Sequence, residues 1–223
     1  MTEPHAVALC ELRVRVSALV DDVDPAVLDL PAPATPAWRA RDVLAHMVGV
    51  ADDIVNDRRD GIASDEWTGA QVDRRRDASI AEMLADWDRL GPEFESLLAI
   101  APAEITGQAL FDAATHEHDL RHAIARPGAR DSAAMVEGWE WFVDGRVRAG
   151  APAIRFVSER GDDLAGVGEP WLSVRAPYFE LFRAATGRRT EAEMAAYEWT
   201  PAPDPASILV APFFTIRTES LGE

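Results

Sequence analysis

An α+β fold, an N-terminal antiparallel four-helix bundle followed by a small C-terminal α/β domain, is what this 223-residue sequence predicts. Three observations carry that expectation. Apolar residues recur at helical spacing in four long segments of residues 1–130. Near residue 150 the pattern changes to short runs with strand-like alternation. Stretches rich in proline, glycine or polar residues, such as "DPAVLDLPAPATPAW" and Pro127-Gly128, separate the segments.

The first helix is read over "HAVALCELRVRVSALVDDV" and fades into "DPAVLDLPAPATPAW", expected to be a proline-punctuated loop. "RARDVLAHMVGVADDIVNDRRDG" is the second helix, expected to stop at Gly61, and a polar segment with Trp67 follows it. The third, "SIAEMLADWDRLGPEFESLLAIA", starts at Ser79, with Glu82 three residues on to complete a capping box. The fourth, "EITGQALFDAATHEHDLRHAIA", is ended by Pro127-Gly128. Residues 131–150 form a fifth, linking helix, and residues 151–223 the α/β domain. There "AIRFVSE" and "WLSVRA" are strands around the turn "RGDDLAGVGEP", and "YFELFRAATGRR" returns to helical spacing. The tail "SILVAPFFTIR" is either a strand or an apolar segment draped on the core.

Composition removes whole classes of function. A net charge of −17 would repel a nucleic acid, and the basic run Arg74–Arg76 sits between Asp73 and Asp77 as a solvated turn. No apolar run approaches the roughly 20 residues of a membrane helix, and "MTEPHAVALCELRV" lacks the parts of an export signal, so a cytoplasmic protein is expected. All 22 basic residues are arginine, which excludes lysine phosphate loops and lysine Schiff bases. The single cysteine, Cys10, lies on an apolar helical face and reads as a small buried hydrophobe. Metal or acid–base chemistry remains.

Three of the five histidines fall in "FDAATHEHDLRHAIARPG". Positions i and i+4 share a helix face, so Asp112 pairs with His116, and His118 with His122. The apolar stripe Ala109, Ala113, Leu120, Ala123 and Ile124 turns the first pair toward the bundle interior and the second toward solvent. Asp119 lies near the first pair, where it could orient a ligand. On the second helix His46 borders Val43, Met47, Val50 and Ile54, placed to meet the fourth helix. A mixed nitrogen and oxygen set of three donors, with one position open, is the pattern of a catalytic zinc site. On geometry alone, hydrogen-bonded core histidines stand as an equal alternative.

"PAWRARDVLAHMVGV", "HEHDLRHAIARPG" and "APYFELFRAATGRR" together resemble the mycothiol-dependent maleylpyruvate isomerase family, within the DinB-like superfamily of metal-binding four-helix bundles. The resemblance runs over nearly the whole chain in the same order. It implies a DinB-like bundle over 1–130 and a divalent metal, zinc above all, on one histidine of the second helix and an acidic-x-x-x-His pair of the fourth. Those positions are His46, Asp112 and His116 here. One departure stands out: the isomerase has glutamate where this chain has Asp112, and the shorter arm would draw the metal toward the fourth helix or loosen its hold. The implied activity is a thiol transferase or isomerase, with mycothiol as cosubstrate attacking a small electrophilic substrate. A hydrolase using metal-bound water, and a non-catalytic metal- or ligand-binding bundle, are the alternatives. A monomer or homodimer is expected. Arg183, Arg188 and Arg189 could clamp carboxylates, but surface ion pairs are the stronger expectation for them.

Overall fold

The computed structural model describes residues 3–223. They form two compact units, one ending at Glu137 and one spanning Gly138–Glu223. The first is built on four long helices: α1 (Glu3–Val20), α3 (Ala40–Val55), α5 (Ile80–Ile100) and α6 (Ala103–Ala123). α1 packs on α5 and α6, and α3 on the same two. Leu12, Val16, Leu44, Val48, Leu90, Leu110 and Phe111 are buried between them. Ser79 opens α5 through a capping box with Glu82, as the spacing predicts.

The expected loop before α3 is more ordered than its prolines suggest. Asp24 caps the short α2 (Pro25–Leu28) by accepting from the Ala26 amide at 2.9 Å, and Pro25 occupies the first turn, where no amide donor is needed. Two short strands follow as a hairpin, β1 (Pro31–Ala32) and β2 (Thr35–Arg39). α3 ends at Val55 rather than Gly61, because Asn56 turns its side chain back onto Asp52 and Asp57 takes a left-handed φ of 55°. The polar segment after it contains a helix, α4 (Asp65–Arg74). Ser64 accepts from the Trp67 amide at 3.2 Å, and Asp65 and Glu66 in the first turn complement the helix dipole. The basic run is a turn from Arg75 on, as expected, with Arg76 exposed, but it is not wholly solvated: Arg74 bonds Asp53, and Arg75, 7 % exposed, bonds Asp52 at 2.9 Å.

The chain enters the second unit along α7 (Ala133–Arg148). There β3 (Pro152–Ser158), β4 (Gly161–Ala165), β5 (Val167–Arg175) and β6 (Glu198–Thr200) form a sheet in the order β4-β3-β5-β6. The expected turn thus holds a strand, β4, antiparallel to β3, while β5 runs parallel to β3 on its other side. The chain passes round the start of β3 at Gly166, where φ is 121° and a Cβ would lie 2.5 Å from the Ala151 carbonyl oxygen. Only glycine fits. Trp139, Phe142, Phe156 and Tyr178 fill the core beneath the sheet. α8 (Tyr178–Ala185) and α9 (Glu191–Ala195) precede a tail that is a draped segment with one 3₁₀ turn, Ala206–Leu209. Arg183, Arg188 and Arg189 are buried, at 0 %, 7 % and 3 % exposure, which corrects their expected place at the surface. Among the described residues no helix is long and apolar enough to cross a membrane.

Candidate metal centre

α3 and α6 meet through buried faces of both helices, and one polar cluster lies between them. His46, 3 % exposed, enters it from α3 within a buried run from Asp42 to Gly49. α3 itself is fixed at its start by Asp42, which accepts from the Arg39 amide at 2.9 Å and from its guanidinium. Asp112 and His116 enter from α6, one turn apart.

The three side chains converge. His46 Nε2 lies 3.4 Å from Asp112 Oδ2, and His116 Nε2 lies 3.5 Å from Asp112 Oδ1. The two imidazole rings stand edge to face with centroids 4.7 Å apart. One donor atom from each residue lies within 4.8 Å of the others. The shorter arm of the aspartate therefore still reaches across to α3. A cation held at about 2.0–2.2 Å by tetrahedral donors spaces them about 3.3–3.6 Å apart. Each imidazole Nε2 already has that spacing to one oxygen of the carboxylate, Oδ2 for His46 and Oδ1 for His116.

Two further observations fit a cation. His46 Nε2 is buried and makes no hydrogen bond, although its Nδ1 is 2.7 Å from Gln71 Oε1. A bare, desolvated nitrogen aimed at a carboxylate is costly unless something positive joins it. The electrostatics agree: burial works to lower the pKa of His116, but the Asp112 charge, with Asp119 behind it, overrides burial and pushes it up to about 9. For Asp112 burial acts to raise the pKa, and His116 and His46 overcome it, holding the carboxyl far below its usual range. A pKa raised that far favours a proton on His116 near neutral pH, so the cluster attracts positive charge. The Asp112 side chain is 40 % exposed, so the cluster opens to solvent on that side. Trp38 from β2 lies over both rings, its centroid 5.4 Å from that of His46 and 6.1 Å from that of His116.

The expected orientation of the other histidine pair needs correction. His118 is 3 % exposed, not solvent-facing, and His122 is only partly exposed. The apolar stripe misleads because α6 is buried on every face from Ala114 to Arg121, with α1, α3 and β1 all packed on it. Glu117 on the α1 side is 0 % exposed and paired with Arg15 at 2.6 Å and Arg121 at 2.9 Å. Neither His118 nor His122 joins His46, Asp112 and His116. Asp119 does sit near the trio, its Oδ2 3.3 Å from His116 Nδ1. Cys10 is only half-buried; burial and the neighbouring Glu95 push its thiol pKa up, which argues against a thiolate there.

Sequence reasoning missed Gln71, Asp53 and Trp38. Gln71 and Asp53 depend on α4, whose signal was the Ser64 cap followed by two acidic residues, and on Gly49, one turn after His46. Trp38 sat in what read as loop.

A family model described as the mycothiol maleylpyruvate isomerase N-terminal domain matches residues 9–121, which include His46, Asp112 and His116. No curated protein and no solved structure matches the chain.

Proposed function

The chain belongs to the mycothiol maleylpyruvate isomerase N-terminal domain family, and on that premise we propose that it is a metal-dependent thiol transferase or isomerase. Its cosubstrate would be a low-molecular-weight thiol, mycothiol, and its substrate a small electrophile. The observation that carries the reading is the convergence of His46, Asp112 and His116 from two helices onto one point.

Zinc or another divalent cation, when bound, supplies a positive charge that lowers the pKa of a thiol and favours its nucleophilic thiolate. The chain's own residues do the rest. The two imidazoles and the Asp112 carboxylate are the holding groups, one negative charge among two neutral donors, so a divalent cation keeps a net positive charge for an anionic thiolate. The Asp119 carboxylate, 3.3 Å from His116 Nδ1, favours that ring orientation by its charge. Trp38 shields the imidazoles with an apolar surface and limits water on that side. The exposure of Asp112 favours an enzyme over a closed structural site, because a catalytic centre needs an entrance.

Metal analysis of the purified protein, followed by turnover assays with and without thiol, tests the proposal. Bound divalent metal with turnover only in the presence of thiol is expected. Hydrolytic turnover without thiol would favour metal-bound water as nucleophile, and bound metal with no turnover a binding bundle.

A further inference from the structure

We propose that Gln71 is a positioning residue for this centre: anchored by Asp53, it fixes the tautomer of His46 so that Nε2 stays bare and faces Asp112 and His116. The proposal rests on reading the trio as a metal site. It concerns α4, whose residues supply none of the three donors.

The chain of hydrogen bonds leaves no freedom. Asp53 is 1 % exposed and its Oδ1 accepts from Arg58 Nε at 2.7 Å and from Arg74. A carboxylate flanked by two guanidinium groups can only accept. The Gln71 amide, 0 % exposed, must therefore turn its NH₂ toward Asp53, and Nε2 donates to Oδ2 at 2.8 Å. That leaves Oε1 facing His46 Nδ1 at 2.7 Å. An amide oxygen is an acceptor, so Nδ1 must carry the proton of the neutral ring, and Nε2 is left with its lone pair exposed to the cluster. Each link follows from the one before.

The arrangement also has a steric requirement. Gly49 follows His46 by one turn, and a Cβ there would lie 2.4 Å from Gln71 Cβ and 2.8 Å from its Cγ. The absence of a side chain lets α4 come close enough for the amide to reach the imidazole. The two histidines are thus oriented by different means. His116 meets a carboxylate directly, whereas His46 meets one through a neutral amide, which passes on the hydrogen bond without setting a second negative charge against the ring.

Two variants test this. Gln71→Met keeps a similar volume and removes the acceptor. The pair Gln71→Glu with Asp53→Asn exchanges acid and amide: the new carboxylate still accepts from His46, the new amide donates to it, and the amide oxygen still accepts from the arginines. Long-range nitrogen-15 NMR on the metal-free proteins above neutral pH reads the His46 tautomer, and chelator competition reads the zinc affinity. Wild type should show the Nδ1–H form. Gln71→Met should lose that preference and bind zinc about 10–100-fold more weakly. The exchanged pair should restore the Nδ1–H form and most of the affinity, which a merely structural role would not require. Retention of both tautomer and affinity in Gln71→Met would overturn the proposal, as would failure of the folded exchanged pair to restore them. If Gln71→Met does not fold, the exchanged pair decides. Wild type with the Nδ1–H form but no zinc binding would strike the metal reading and leave the hold of Gln71 on His46 standing.

Discussion

His116 and His118 stand two positions apart on α6 and both are buried, at 8 % and 3 % exposure, yet of the two only His116 joins the donor cluster with His46 and Asp112. Their replacements should separate cleanly. His116→Ala should abolish zinc binding, whereas His118→Ala should leave zinc content intact and lower stability by about 1–3 kcal/mol, because it empties a buried polar position. Metal analysis and thermal melts on the two proteins check this, and metal loss only in His118→Ala would place the site on the wrong residues. Asp112 admits a finer test. Asp112→Glu lengthens an arm that already reaches 3.4 Å from His46 Nε2 and should keep zinc. Asp112→Asn should weaken it by at least tenfold, since an amide is a poorer ligand and leaves the cation less compensated. Equal affinity in Asp112→Asn and wild type would make the carboxylate a bystander.

Among the elements, α4 is the one that the linear pattern conceals. Its interior face is narrow, with only Gln71 and Val72 buried, so apolar periodicity never shows it. The four long helices were legible because each carries several apolar turns, and α5 declared its own start through Ser79 and Glu82. The pairing of Asp112 with His116 was legible too, since i and i+4 spacing alone joins them. The burial of His118 was not: it depends on α1, α3 and β1 surrounding one stretch of α6, which a single helix cannot reveal. Gly49→Ala tests the approach of α4 to α3. The added methyl must push Gln71 aside, with a stability cost of about 1–3 kcal/mol and a fall in zinc affinity in the same direction as Gln71→Met. Denaturant unfolding and chelator competition on one preparation measure both. Unchanged zinc affinity would mean that the close contact serves packing alone.

At the scale of the molecule, the change of texture near residue 150 corresponds to a real change from helices to a sheet, but the ion pairs expected at the surface for Arg183 and Arg189 are buried within the second unit. Arg183, wholly buried, makes two bonds to Glu223 at 2.6 and 2.9 Å, and Arg189 joins the same carboxylate at 2.8 Å. Arg189 is also held by Glu180 at 2.6 and 2.9 Å. Burial acts to raise the Glu223 pKa, and the two guanidinium groups overcome it, leaving the carboxyl below its ordinary value. A depressed folded pKa stabilises above the unfolded value of about 4.3 and is lost as pH falls through the folded one. Wild-type stability should therefore fall steeply below about pH 4. Glu223→Gln should cost about 3–5 kcal/mol at neutral pH, by removing the negative charge that the buried Arg183 and Arg189 guanidinium groups share, and should flatten the acid limb. Melts across pH 3–7 would show both effects; an unchanged acid limb would contradict the assignment.

The central claim is that two imidazoles and one carboxylate hold a divalent metal to which a small thiol can come. Zinc-edge X-ray absorption on the loaded wild-type protein, with and without a low-molecular-weight thiol, reads that claim most directly. Without thiol the account predicts only nitrogen and oxygen neighbours at about 2.0–2.2 Å, with the imidazole signature of two histidines. With saturating thiol, one sulfur neighbour at about 2.3 Å should join them. A shell that shows no imidazole, or one that stays free of sulfur at saturating thiol, would contradict the account.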